Sequence, residues 1–262
     1  MHEYIREKLT GIEEMHRVRI LVAIESGSRA WGFPSTDSDY DVRFIYVRPQ
    51  EDYLSIRSQR DVIETPLVHD AVLGVPLDFN GWDLRKALQL ALKSNPVLVE
   101  WLVSPVRYQS DAAAASELLT FVREIADLEA FKFHYDRLAR NAWDQILESS
   151  SEVKAKLYFY ALRPAMCLQW IRKYDDTPPM DLPSLCTGVI RDEALQREIH
   201  SLVALKTTLR ETDTAQRNDL LDSFIESVLV QKSERPAKST RNEIAAIERA
   251  DELFRKIVLS ER

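Results

Sequence analysis

Every clear strand signal in this chain falls before about residue 110, and everything after it is patterned for helix. Val18–Ile24 (VRILVAI) is a short, unbroken apolar run rich in β-branched residues, which reads as a buried strand. Tyr40–Val47 (YDVRFIYV) is a second, and Asp61–Ile63 and Ala71–Phe79 are weaker candidates. Helical spacing puts Tyr4, Ile5, Leu9, Ile12 and Met15 on one face of an N-terminal helix, and Leu84, Leu88 and Leu92 on one face of Trp82–Lys93. Val97–Leu102 follows Asn95-Pro96, a helix-start pair. From Asp111, an N-cap acid, helical patterns continue at 111–126, 129–148, 152–174, 191–206, 215–231 and 240–259, with turn-rich loops at Asp175–Pro183 and Gln231–Ser239. The spacing predicts a mixed α/β (α+β) domain over 1–110 followed by an all-helical domain over 111–262, with the boundary near 108–112.

Composition removes several classes. A chain of 262 residues, 45% hydrophobic and 29% charged, buries a core without disulfides or structural metal. Only 6 Gly and 11 Pro exclude collagen-like and low-complexity chains. Cys167 and Cys186 have no zinc spacing and read as buried filler in a reducing compartment, and the five histidines form no HExxH or paired motif. A net charge of −7 argues against a broad basic nucleic-acid surface while leaving room for a local basic groove. No apolar run is long enough to span a membrane, and the amphipathic N-terminus has no apolar signal core, so a cytoplasmic location is expected.

The chemistry concentrates in Glu25–Tyr46. Along a strand side chains alternate, so Asp39, Asp41 and Arg43 share one face while Tyr40, Val42 and Phe44 face the core. Two carboxylates this close repel unless a cation sits between them, and oxygen-only ligands suit Mg²⁺ or Mn²⁺. With 42 acidic residues, such a pair arises by chance roughly six or seven times, so context decides. The first strand runs into Gly27-Ser28, where glycine admits close approach of an anion and the hydroxyl and nearby N–H groups can hold phosphate oxygens. A phosphate cradle joined by one loop to a divalent-metal pair is what nucleotidyl transfer with two metal ions needs. The third carboxylate expected on a neighbouring strand is Asp78, flanked by Leu77 and Phe79. Asp83 is the runner-up but reads more simply as a helix-start acid, and Asp37 as a turn acid.

Bland readings stand beside these. Asp39 and Asp41 can be a solvated strand end, and Asp78 a buried hydrogen-bonded acid or a turn residue. Arg29 and Arg43 suit phosphate geometry, with Arg43 already on the metal face. Trp31 can stack on a base or pack its loop onto the sheet. Lys156, Tyr160 and Arg163 share a helix face at 152–174, a helix that Pro164 is expected to kink or break.

The strings Gly27-Ser28, Ser38-Asp39-Tyr40-Asp41-Val42-Arg43 and Asp78 resemble the DNA polymerase β-type nucleotidyltransferase superfamily. The longer strings ESGSRAWGF, DSDYDVRFIYV, GWDLRKAL and KSNP resemble, more narrowly, the RlaP family of RNA ligase-associated, YcgL-type predicted nucleotidyltransferases, and the likeness reaches Lys156–Pro164. The resemblance implies a nucleotidyltransferase-like mixed sheet and a helical domain closing over the nucleotide. It also implies transfer of a nucleoside monophosphate from an NTP to a hydroxyl acceptor with release of pyrophosphate. Asp39, Asp41 and Asp78 would be catalytic carboxylates holding two Mg²⁺ or Mn²⁺ ions, with Asp78 also drawing the proton from the acceptor hydroxyl, and Gly27, Ser28, Arg29, Arg43, Lys156, Tyr160 and Arg163 would be nucleotide contacts. The association with RNA ligases points to an RNA end as acceptor. A catalytically silent nucleotide-binding regulator, an antitoxin-like protein, or an enzyme acting on a small molecule or a protein stands as the alternative.

Overall fold

The structure is a computed structural model that describes residues 1–149, 152–208, 210, 213–236 and 243–260. In chain order, the first elements are α1 (His2–His16), β1 (Arg19–Glu25), α2 (Gly27–Trp31), β2 (Tyr40–Val47), α3 (Gln50–Tyr53), β3 (Val62–Glu64), β4 (Val68–His69) and β5 (Pro76–Asp83). They are followed by α4 (Leu84–Leu92), α5 (Pro96–Leu102), β6 (Arg107–Ser110), α6 (Ala112–Ile125) and α7 (Leu128–Leu147). The remainder are β7 (Glu152–Lys154), α8 (Ala155–Tyr174), α9 (Leu182–Val189), α10 (Glu193–Thr208), β8 (Thr214–Gln216), α11 (Asp219–Leu229) and α12 (Glu243–Leu259).

The chain forms two compact units, each described separately. The first comprises Met1–Gly27, Asp39–Ala126 and the C-terminal helix α12; the second comprises Ser28–Ser38 and the chain from Asp127 to the end of the described residues before α12. The division departs from the expected boundary near 108–112 in three places. α6 packs against β1, α4 and α5, so it stays with the sheet. α12 returns to α4 and α6. The segment Ser28–Ser38 leaves the sheet unit because its aromatic residues are held by α8. The opening positions of the helix expected over 240–259, and the last positions of the preceding loop, lie outside the described residues.

In the first unit a mixed sheet runs in the order β3-β5-β2-β1-β6, with β4 beside β5. Among the described residues β2 and β5 pair in parallel and the other pairings of this sheet are antiparallel. The apolar run of the first strand is buried from Ile20 to Glu25 because it lies inside the sheet. Ile5, Leu9 and Ile12 of α1 pack with Ile20, Ala23, Val42, Phe44, Tyr46 and Phe79. α4, α5 and α6 pack against β1, β2 and β5, and Leu21, Ile24 and Ile45 are buried as well. In β5 alternation is strict: Leu77, Phe79 and Gly81 are buried while Asp78 and Asn80 are half-exposed. The strand expected over Ala71–Phe79 therefore begins later, because Asp70 caps a turn by accepting from the N–H groups of Val72 and Leu73.

Among its described residues the second unit is helical apart from an antiparallel ribbon of β7 and β8, which the sequence pattern did not announce. α8 runs through Pro164 without a break. It is buried along nearly its whole length, including Tyr158, Phe159, Leu162, Met166, Cys167 and Ile171, and packs on α7, α9 and α11. That burial outweighs the roughly 3 kcal/mol that an interior proline costs. Both cysteines are buried. No helix among the described residues is long and apolar enough to cross a membrane.

Candidate active site

β2 and β5 pair in parallel with Asp41 directly opposite Asp78. Both side chains leave the same face of the sheet, the face that their buried neighbours Val42, Leu77 and Phe79 do not use. Neighbouring strands lie only ~4.8 Å apart, so two carboxylates in register need a positive charge between them. Arg43, two residues further along β2, supplies it. Its Nη2 lies 2.9 Å from Oδ1 of Asp41 and 2.8 Å from Oδ2 of Asp78. Its Nη1 donates to the carbonyl of Val42 at 3.2 Å. The sequence reading assigned Arg43 to phosphate; here it joins the two acids.

Asp41 is fixed from its backbone as well. Its N–H donates to Oε1 of Glu25 at 2.9 Å, and its carbonyl accepts from the N–H of Ser26 at 2.8 Å. Glu25 is fully buried at the end of β1, and the hydroxyl of Tyr108 donates to its other oxygen. Sequence reasoning passed over Glu25 as a loop residue. The available signal was an acid ending an otherwise apolar strand, where a buried carboxylate has to have partners.

Gly27 adjoins Asp41 closely. At φ +61°, a Cβ at this position would stand 2.1 Å from Oδ2 of Asp41. The group the backbone approaches here is the Asp41 carboxylate, where the sequence pointed to a phosphate.

Asp39 is half-buried and precedes β2, whose pairing with β5 begins at Tyr40 opposite Leu77. Among the described residues no group of three or more His, Cys, Asp or Glu side chains is placed to hold a metal ion. Asp41 and Asp78 meet around Arg43, and Asp39, the third acid expected with them, lies one residue before the ladder that holds the other two in register. Asp83, the runner-up, caps α4 by accepting from the N–H of Arg85 at 2.8 Å and accepts from the hydroxyl of Tyr53 at 3.0 Å. Burial pushes its carboxyl above the ordinary range, against the N–H bond and the hydroxyl that favour its charge.

The remaining candidates belong to the second unit. Ser28 Oγ donates to Ser38 Oγ at 3.0 Å, and Arg29 donates to the Ser38 carbonyl at 2.7 Å, so the loop ties itself together around Ser38. Asp37 is exposed in a turn, as its neighbours suggested. Phe33 stacks on Phe159 of α8 with ring centroids 4.1 Å apart, and Trp31 meets the edge of Tyr160 at 6.3 Å. Trp31 thus packs its loop onto α8, not onto the sheet. Arg163, expected on an open nucleotide-binding face, is 4% exposed: its Nε donates to the Met180 carbonyl at 2.9 Å and its guanidinium lies 4.6 Å from the Trp31 ring. The same helix that spaces it with Lys156 and Tyr160 is buried on that side. Tyr160 is exposed and Lys156 half-exposed.

A mixed sheet with paired aspartates on neighbouring strands is the arrangement expected of the polymerase β-like nucleotidyltransferase class. Residues 1–256 match RlaP, the RNA repair pathway DNA polymerase beta family, and the chain belongs to that family. It is 44% identical over 227 residues to the uncharacterized protein YcgL of Bacillus subtilis (strain 168), which covers 87% of this chain and 85% of that protein. A crystal structure of a nucleotidyltransferase-like protein from Exiguobacterium sibiricum 255-15 aligns over 98% of this chain and 81% of that one, at 10% identity and a TM-score of 0.32. A likeness at that level carries no argument about this chain.

Proposed function

We propose that this chain is a divalent-metal-dependent nucleotidyltransferase that moves a nucleoside monophosphate from an NTP to a hydroxyl acceptor, releasing pyrophosphate, and that the acceptor is an RNA end. Family membership supports the reaction class, and the family's RNA repair description supports the acceptor. The observation that carries the reading is Asp41 opposite Asp78 on parallel strands, both within 2.9 Å of one cationic nitrogen. All-oxygen donors of this kind fit Mg²⁺ or Mn²⁺, and a pair already gathered around one positive charge fits a cation. Asp41 and Asp78 would hold the metal, with Asp39 as the nearest further acid along the chain. A bound pair of divalent ions would supply Lewis-acid polarisation of the phosphoryl oxygens and charge neutralisation of the leaving pyrophosphate.

The chain's own residues do the rest. Glu25 and the Ser26 N–H fix the backbone of Asp41, so its carboxylate is positioned before any ligand arrives. Asp78, on β5, accepts the proton of the attacking hydroxyl. Gly27 lets the backbone pass close to the Asp41 carboxylate without a side chain in the way.

The test is to incubate the protein with each labelled NTP, Mg²⁺ or Mn²⁺, and total RNA, and to follow the label. Transfer to RNA that is lost in Asp41→Asn supports the reading; transfer to a small molecule or a protein moves the acceptor. The satisfied Asp41–Arg43–Asp78 arrangement also favours a second reading, a nucleotide-binding regulator without turnover. Binding of NTP with no transfer to anything would establish that alternative.

A further inference from the structure

Arg43 places one nitrogen, Nη2, at 2.9 Å from Asp41 and 2.8 Å from Asp78, the point where two carboxylates in register converge. Its other terminal nitrogen is tied to the Val42 carbonyl. Its side chain is 18% exposed, with Asp41 at 31% and Asp78 at 26%, so the three charges are partly shielded and attract more strongly than surface pairs do. Arg43 is also tethered to Asp41 by the strand they share, so it cannot drift away as a free ion would. A divalent ion on the same carboxylates would face this guanidinium at contact range, and like charges cannot share that point.

We infer that Arg43 is a resident counter-cation that keeps the Asp41–Asp78 pair closed to divalent metal until a polyphosphate draws the guanidinium away, so that metal uptake is coupled to arrival of the triphosphate. The inference rests on the proposed metal-dependent reaction and adds its order of binding. The exchange conserves charge pairing. Arg43 leaves two carboxylates for phosphate oxygens, which its planar fork matches in pairs, and the carboxylates take the metal in its place. An enzyme built this way does not load metal without substrate. Its arginine serves first as a positioning residue, holding both carboxylates toward one point, and then as a phosphate contact, which reconciles the role expected from the sequence with the place it occupies.

The experiment measures Mn²⁺ binding to the full chain by electron paramagnetic resonance, first without nucleotide and then with a non-hydrolysable triphosphate, for the wild type, Arg43→Gln, Arg43→Lys and the double variant Arg43→Gln/Asp41→Asn. Removing a charge-assisted partner from both acids should tighten Mn²⁺ binding at least ~tenfold in Arg43→Gln. Arg43→Lys keeps the charge and should stay within about threefold of the wild type, and adding Asp41→Asn should erase the gain. Should Arg43→Gln fail to fold, arginine side-chain ¹⁵N NMR of the wild type decides. The Arg43 Nη signals should change with Mg²⁺ plus a non-hydrolysable triphosphate and not with Mg²⁺ alone. Wild-type protein that binds Mn²⁺ alone as tightly as Arg43→Gln, or an Arg43 signal moved by Mg²⁺ alone, overturns the inference and leaves the metal site standing. No Mn²⁺ binding by any variant, with or without triphosphate, overturns the metal site and the inference together.

Discussion

Gly27 and Gly74 share a backbone conformation, φ +61° and +70°, but not a neighbourhood. A side chain at Gly74 meets nothing within 4 Å, whereas one at Gly27 meets the Asp41 carboxylate at 2.1 Å. Gly74→Ala should therefore cost only the left-handed strain, of order 1–3 kcal/mol. Gly27→Ala should cost that and also displace Asp41, so urea denaturation should show it the more destabilised, and nucleotidyl transfer should fall in Gly27→Ala alone. Equal transfer rates in the two variants would separate Gly27 from the site. Asp83 gives a pH-dependent case. Burial raises its carboxyl in the folded state, so between the ordinary value of 3.8 and the raised one the folded chain binds more protons than the unfolded chain. Stability is then fully present below the ordinary value and falls as pH rises through the raised one. Asp83→Asn removes this ionisation and keeps a capping side chain, so its stability relative to wild type should improve between pH 4 and pH 7. Asp83→Ala should follow the same pH trend, lowered throughout by about 1 kcal/mol of lost cap. A flat difference between Asp83→Asn and wild type across that range would count against the buried charge.

At the scale of elements, the pairing of β2 with β5 is what sets Asp41 opposite Asp78. Asp41 and Asp78 were legible in the sequence because alternation with buried neighbours fixes the face of each, whatever the strand order. Their direct opposition was not legible, since register across 36 intervening residues depends on the turn at Asp70 and the pairings of β3 and β4. The placing of Arg43 between them was half legible: its face followed from alternation, but its choice of carboxylate over phosphate is set by a strand absent from its local sequence. Alternation fixes less for Asp39, which lies one residue before the point where the ladder begins. The same register stacks Phe44 opposite Gly81, where an added Cβ would meet the ring at 2.1 Å. Gly81→Ala should therefore overpack the strand pair by about 1–3 kcal/mol. A second change, Phe44→Leu, should recover part of that loss although it is destabilising alone, a coupling that a double-mutant cycle in urea reads directly. Additive losses would mean the two strands adjust independently.

For the whole molecule, sequence order and spatial grouping part company at the C-terminus. Helical pattern alone assigned everything beyond Asp111 to one domain, because amphipathic stripes report that a face is buried and not what buries it. α12 illustrates the difference: its Phe254 meets Tyr53 edge to face at 4.9 Å, and Lys256 pairs with Glu117 at 2.6 Å. Arg249 pairs with Glu124, and Arg19 at the start of β1 donates to the Ile257 carbonyl at 3.0 Å and bonds Asp111 at 3.1 Å. All of these partners belong to the sheet unit. The helical unit closes through its own ties, such as Tyr158 donating to Asp222 at 2.7 Å and Arg140 bonding both Asp136 and the Leu229 carbonyl. Deleting residues 240–262 should therefore loosen the sheet unit, the part most distant in sequence, and spare the helices that immediately precede the deletion. Native-state hydrogen exchange checks this: amides of α4, α6 and β1 should lose protection while those of α7, α8 and α11 keep theirs. Loss of protection confined to α10 and α11 would return the C-terminal helix to the helical unit and restore the boundary near residue 110.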